Sequence, residues 1–95
     1  MIIRSKNKKA IRNFNLISDL VISKDSKGDW EIIACYPYFA QSDCGFAVIG
    51  TYSTEEKAIK VLDMIEKLYV ESVWTEGKTI IANRVCFEMP QDSEV

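Results

Sequence analysis

The chain has no histidine. That absence removes the usual general base, the commonest metal ligand, and every nucleophile arrangement that relies on an imidazole to take a proton. Cysteine is scarce and odd in number. Cys35, Cys44 and Cys86 lack CxxC spacing, so neither a complete disulfide framework nor a zinc knuckle can be built from them, and they read as reduced, cytosolic thiols. Glycine occurs four times, each isolated, which excludes a phosphate-cradling loop and a dinucleotide fingerprint. Long apolar runs are missing too. The longest uncharged stretches, Ile32–Ser42 and Cys44–Thr54, are eleven residues each, against about 20 for a bilayer span. With no membrane segment and no signal peptide, the sequence places the chain in the cytoplasm.

What is present makes one small domain over residues 1–95: 47% hydrophobic and 27% charged side chains, enough for a single core and little for a deep cleft. The net charge of -2 argues against direct nucleic-acid binding. The charge is lopsided. Arg4, Lys6, Lys8, Lys9 and Arg12 give +5 over residues 1–12 with no acid among them, whereas residues 13–95 hold seven bases against fourteen acids. Such an arm is either a solvated edge or a contact for phosphate, an anionic ligand or an acidic partner.

The clearest element is a helix over about residues 54–72. Ser53-Thr54-Glu55-Glu56 reads as a capping box with Ser53 as the cap, and Ala58, Val61, Leu62, Ile65, Leu68 and Tyr69 recur at helical spacing. Ile59 and Met64 fall off that stripe. Upstream the period is two: Phe14, Leu16, Leu20 and Ile22, with an irregularity at Ile17-Ser18. A turn at residues 24–29 follows, then strands from Trp30 to Tyr36 and from Phe46 to Tyr52, with a last strand at 84–89 and a short first one at 2–5. The expected fold class is α+β, an antiparallel meander of four to five strands packed against one amphipathic helix. Residues 91–95 read as a polar, mobile tail with nothing to bury.

No motif names a reaction. The carboxylates are scattered, Glu55-Glu56 suits a positive helix N-terminus, and Asp25–Asp29 lacks the spaced oxygens of a calcium loop. Cys35 and Cys86 fall in strands as buried structural thiols, leaving Cys44 as the one loop thiol. We therefore expect no catalytic residues, no metal and no cofactor. Trp30, Ile32, Ala34 and Tyr36 share one strand face, while Tyr38, Phe39 and Asp43 of the following loop are candidate contacts for a protein partner.

The segment Gly50-Thr51-Tyr52-Ser53-Thr54-Glu55-Glu56-Lys57-Ala58, continuing Val61-Leu62-Asp63-Met64-Ile65, resembles small uncharacterised proteins of phages and prophages in Gram-positive bacteria. The ends are similar to that group as well: Met1-Ile2-Ile3-Arg4-Ser5 with Lys8-Lys9, Asn13-Phe14-Asn15, and Phe87-Glu88-Met89-Pro90-Gln91-Asp92. The resemblance spares only residues 30–46 and 72–83. It implies a mobile-element context, in which compact acidic proteins block host machinery or sequester a host signal.

Two readings follow. In the first, the chain is a non-catalytic accessory protein that binds a host macromolecule and inhibits antiviral defence. In the second, it is a sponge for an anionic nucleotide signal, with Arg4, Lys6, Lys8, Lys9, Arg12 or Arg84 on phosphate and an aromatic ring on the base. A virion component and a histidine-free enzyme are weaker alternatives. An exposed edge strand would allow a homo-oligomer.

Overall fold

The computed structural model describes residues 1–37, 45–73 and 86–95. Strand β1 (Ile2–Arg4) lies at the centre of a first sheet, antiparallel to β2 (Ile11–Asn13) on one side; on the other it runs parallel to β6 (Cys86–Glu88). A second sheet has the order β3 (Asp19–Lys24), β4 (Trp30–Cys35), β5 (Phe46–Tyr52), antiparallel throughout. Helix α1 (Glu55–Val73) follows β5 almost directly and packs on the second sheet. The α+β class and the β3-β4-β5 meander are as expected. Among the described residues the strands number six in two sheets rather than four or five in one, and the β1–β6 pair is parallel. β1 can take this position because its partner arrives from the far end of the chain.

Local chemistry explains most of the elements. Between β1 and β2, the buried Ser5 hydroxyl accepts the Ala10 N–H (3.1 Å) and donates to Asn7 Oδ1 (2.7 Å), which in turn accepts the Lys9 N–H (2.9 Å). Lys8 takes a positive φ of 65° in this turn. A 3-10 turn at Phe14–Leu16, capped by the Asn13 side chain accepting from the Asn15 N–H (3.0 Å), stands where the period-two run predicts extended chain, so the irregularity falls before Ile17-Ser18 and β3 begins only at Asp19. The β3–β4 turn is an Asx turn: Asp25 Oδ1 accepts from the Lys27 and Asp29 N–H groups (2.8 and 2.9 Å), and Gly28 supplies φ 91°.

The core joins both sheets to the helix. Ile3, Ile32, Ala34, Ile49, Tyr52, Ala58, Val61, Ile65, Phe87 and Met89 are buried, with Trp30, Leu20, Ile22 and Leu68 packed around them. Each fully buried large side chain contributes about 1.5–3 kcal/mol. Ile59 and Met64, off the helical stripe, face solvent.

A register shift in the β4–β5 pair sets Ile32 opposite Gly50 but Ile33 opposite Val48, so Ile49 has no partner in β4. This β-bulge frees the Ile49 carbonyl to accept the Lys6 N–H (2.8 Å), tying the second sheet to the first. Gly50 beside it has no room for a side chain: a Cβ would stand 2.9 Å from Met89 Cε and 3.1 Å from Tyr52 Cε2.

Two expectations are corrected at the helix start and the chain end. The cap is Thr54, whose Oγ1 accepts the Lys57 N–H (3.1 Å), not Ser53. Ser53 is engaged elsewhere, its N–H and hydroxyl both donating to the Asp92 carboxylate (2.8 and 3.0 Å). The segment 91–95, expected to hang free, is docked. Asp92–Glu94 forms a 3-10 turn, Gln91 Nε2 donates to the Lys6 carbonyl (2.9 Å), Lys57 Nζ pairs with Asp92 (2.9 Å), and Val95 packs against the core.

Candidate functional site

The five basic residues near the N-terminus do not form an arm. Arg4 lies in β1 and Arg12 in β2, and the register sets Arg12 opposite Ile3 but Arg4 opposite Ile11, so the two guanidinium groups leave opposite faces of the sheet. Arg4 Nη2 donates to the Lys8 carbonyl (3.1 Å). The Nε atoms of Arg4 and Arg12 are both buried without a hydrogen-bond partner. Lys6 is built into the fold: its Nζ donates to the Thr51 carbonyl and sits 4.6 Å from the centre of the Tyr52 ring. Of the five basic residues, Lys8 and Lys9 are the ones exposed, at the turn. A cleft of about 340 Å³ opens beside Lys6, bordered by Asn7, Gly50, Thr51 and Gln91, but its one charged group is already committed to Thr51.

The remaining candidates, Tyr38, Phe39, Asp43 and Arg84, lie outside the described residues, as do Cys44 and Trp74. Cys35 and Cys86, expected as buried thiols, are half-buried and exposed, because both fall on strand positions that point away from the core. Among the described residues, no group of three side chains is arranged to hold a metal ion, and no helix is long and apolar enough to cross a membrane.

Ionisable chemistry concentrates where the C-terminal segment meets β5 and α1. The Tyr52 hydroxyl, in a side chain only 1% exposed, donates to the Pro90 carbonyl (2.8 Å). Burial, reinforced by the nearby Asp92 and Glu94 carboxylates, pushes its phenol well above the usual range. Asp92 is drawn down to about 2 by the Ser53 N–H and then by Lys57. These groups brace the fold, and the carboxylate at the helix start suits the helix dipole.

Two apolar surfaces among the described residues have no evident structural role. On the outer face of the second sheet, Val21, Ile33 and Val48 form a row directly across β3, β4 and β5, with Phe46 beside it, opposite Cys35. Val21 and Val48 are each 43% exposed and Phe46 57%. A groove of about 550 Å³ runs between α1 and the start of β3. Phe14, Ile17, Leu20, Leu62, Ile65 and Tyr69 line it, the Phe14 and Tyr69 rings lying 5.0 Å apart, and Asp19, Asp63 and Glu66 stand on its rim.

Reading β3 and β4 for a single buried face missed the outer row. The signal was present: Val21 sits between Leu20 and Ile22, and Ile33 follows Ile32, so both strands carry apolar residues on both faces. In comparisons with known proteins, no family model, no curated protein and no solved structure matches this chain.

Proposed function

We propose that this chain is a non-catalytic binding protein, an accessory protein of a phage or prophage that docks on a host macromolecule and inhibits antiviral defence. The observation that carries the binding part is the apolar row Val21–Ile33–Val48 with Phe46, contiguous across three strands, in which Val21, Val48 and Phe46 are exposed and Ile33 is half-buried. Isolated exposed hydrophobics are ordinary on a protein surface, but a contiguous row on a rigid sheet is the kind of patch that marks an interaction site. The phage context rests on the sequence resemblance, and the absence of histidine supports a role without catalysis. The nucleotide-sponge alternative draws less support, since Arg4 and Arg12 diverge and Lys6 is engaged with Thr51 and Tyr52.

The test is native mass spectrometry of the protein purified from a Gram-positive host, in parallel with a Val21→Lys/Val48→Lys variant. The reading expects a discrete complex with a host macromolecule that the variant no longer retains. A retained nucleotide-sized mass would favour the sponge, and a complex of equal abundance with the variant would remove the sheet face from the argument.

A further inference from the structure

We propose that the groove between α1 and the edge of β3 receives an extended segment of a partner protein in which lysine or arginine alternates with large apolar residues. The inference rests on the binding reading above and adds a second surface with a defined partner chemistry.

Three observations converge on this groove. The first is an available edge. β3 is the border strand of its sheet, paired with β4 on one side and with no described strand on the other. A border strand presents a row of backbone N–H and C=O groups that an incoming strand can pair with, and addition of a peptide strand beside a helix is a recurrent mode of recognition. The second is the floor. Leu20, from β3 itself, and Leu62 and Ile65, from α1, line a space of about 550 Å³, within the range typical of binding pockets. Phe14 and Tyr69 lie among the lining side chains as well. An added strand alternates its side chains between the two faces of the sheet, so every second residue would drop into this space.

The third observation is the charge. Asp63 and Glu66 stand three apart on α1, on one helical face, and Asp19 lies across the groove on β3. None of the described lining residues is basic. The Lys57–Asp92 ion pair involves none of the three carboxylates. Lysine or arginine at the inward-facing positions answers this arrangement, since their apolar stems can lie along the floor while their charged ends reach the rim, and the apolar residues between them fall on the outer face beside Val21. The same charge argues against a second copy of this chain as occupant. Pairing β3 with itself about a two-fold axis would bring one set of these carboxylates toward the other.

Fluorescence anisotropy with a dye-labelled eight-residue peptide alternating lysine with leucine or valine tests the proposal on the intact protein. Saturable binding is expected, weakened at least tenfold by Asp63→Lys/Glu66→Lys and abolished when the peptide is N-methylated at the residues that face β3. Both substituted positions are exposed, and a matching circular dichroism melt confirms the variant's fold. Phe46→Lys/Val48→Lys, on the outer face of β5 and two strands away from the β3 edge, should leave peptide affinity unchanged. No saturation by about 1 mM overturns the proposal, as does equal binding to the charge-reversed variant or of the N-methylated peptide. If the host complex forms and depends on Val21 and Val48 while the peptide fails, the groove proposal falls alone. If the peptide binds as expected and no host macromolecule is retained, the functional reading falls instead.

Discussion

Replacing Tyr52 with phenylalanine removes a single oxygen from the junction of β5, α1 and the C-terminal segment. Tyr52 is buried, and its hydroxyl donates to the Pro90 carbonyl at 2.8 Å. Tyr52→Phe keeps the ring and leaves that carbonyl without its donor. The expected cost is about 1–3 kcal/mol, the range for a buried hydrogen-bonding group losing its partner. For a domain of this size each kcal/mol lowers Tm by about 4–8 °C. The pH dependence supplies a second readout. The folded phenol ionises well above the unfolded one, whose value is 10.0. The folded state therefore holds a proton that the unfolded state gives up. The stability from the neutral phenol is complete below pH 10 and declines above it, by up to about 1.4 kcal/mol per pH unit. Urea melts of both proteins at pH 7 and at steps from pH 9.5 to 11.5 measure both effects. The wild type should be the more stable at pH 7 and should lose that advantage as pH rises, while ultraviolet titration should show one of the four tyrosines ionising only as the fold is lost. Equal stability at pH 7, or parallel declines in alkali, would refute the assignment of a neutral, hydrogen-bonded phenol to this site.

The helix start offers a paired comparison: Thr54→Ala should cost about 1 kcal/mol by removing the side-chain cap, and Ser53→Ala much less, as read by thermal melts. Asp92, low at about 2 against an unfolded value of 3.8, contributes stability that is present above pH 3.8 and lost as pH falls through 2, so Asp92→Asn should flatten that part of an acid-unfolding curve. Gly50→Ala should destabilise by about 1–3 kcal/mol through overpacking, since Met89 Cε can swing aside but the Tyr52 ring, held by Pro90, cannot.

Elements whose cause is local were legible in the sequence. The cap residues and the helical stripe from Ala58 to Tyr69 located the start of α1 to within a residue, and the Asp25–Asp29 turn and β5 emerged where their residues imply. What was hidden has non-local causes. Ser53 and Thr54 are both good caps, and the choice between them is made by Asp92, 39 positions away, which occupies Ser53. Three-residue strands such as β1 and β6 carry too little periodicity to announce each other, so their parallel pairing could not be read. The tail looked free because its polar residues find partners only in the folded chain, at Lys6, Ser53 and Lys57. The same logic dissolved the basic arm. A cluster along the sequence becomes two strands and a turn, and Lys6 becomes a brace.

The parallel pairing of Ile2 with Cys86 also sets an order of events. A chain emerging from the ribosome can close the β1–β2 hairpin and assemble the β3-β4-β5 meander early, because those contacts are short in sequence. β1 must wait for residues 86–88 before its second flank is covered, and closing so long a loop is entropically costly. The first sheet is then the last part of the molecule to be completed, and its completion delivers Phe87, Met89 and the docked C-terminal segment together. Until that strand arrives Ile3 lacks its neighbour Phe87, and a nascent chain in that state offers a folding chaperone or a protease exposed apolar surface.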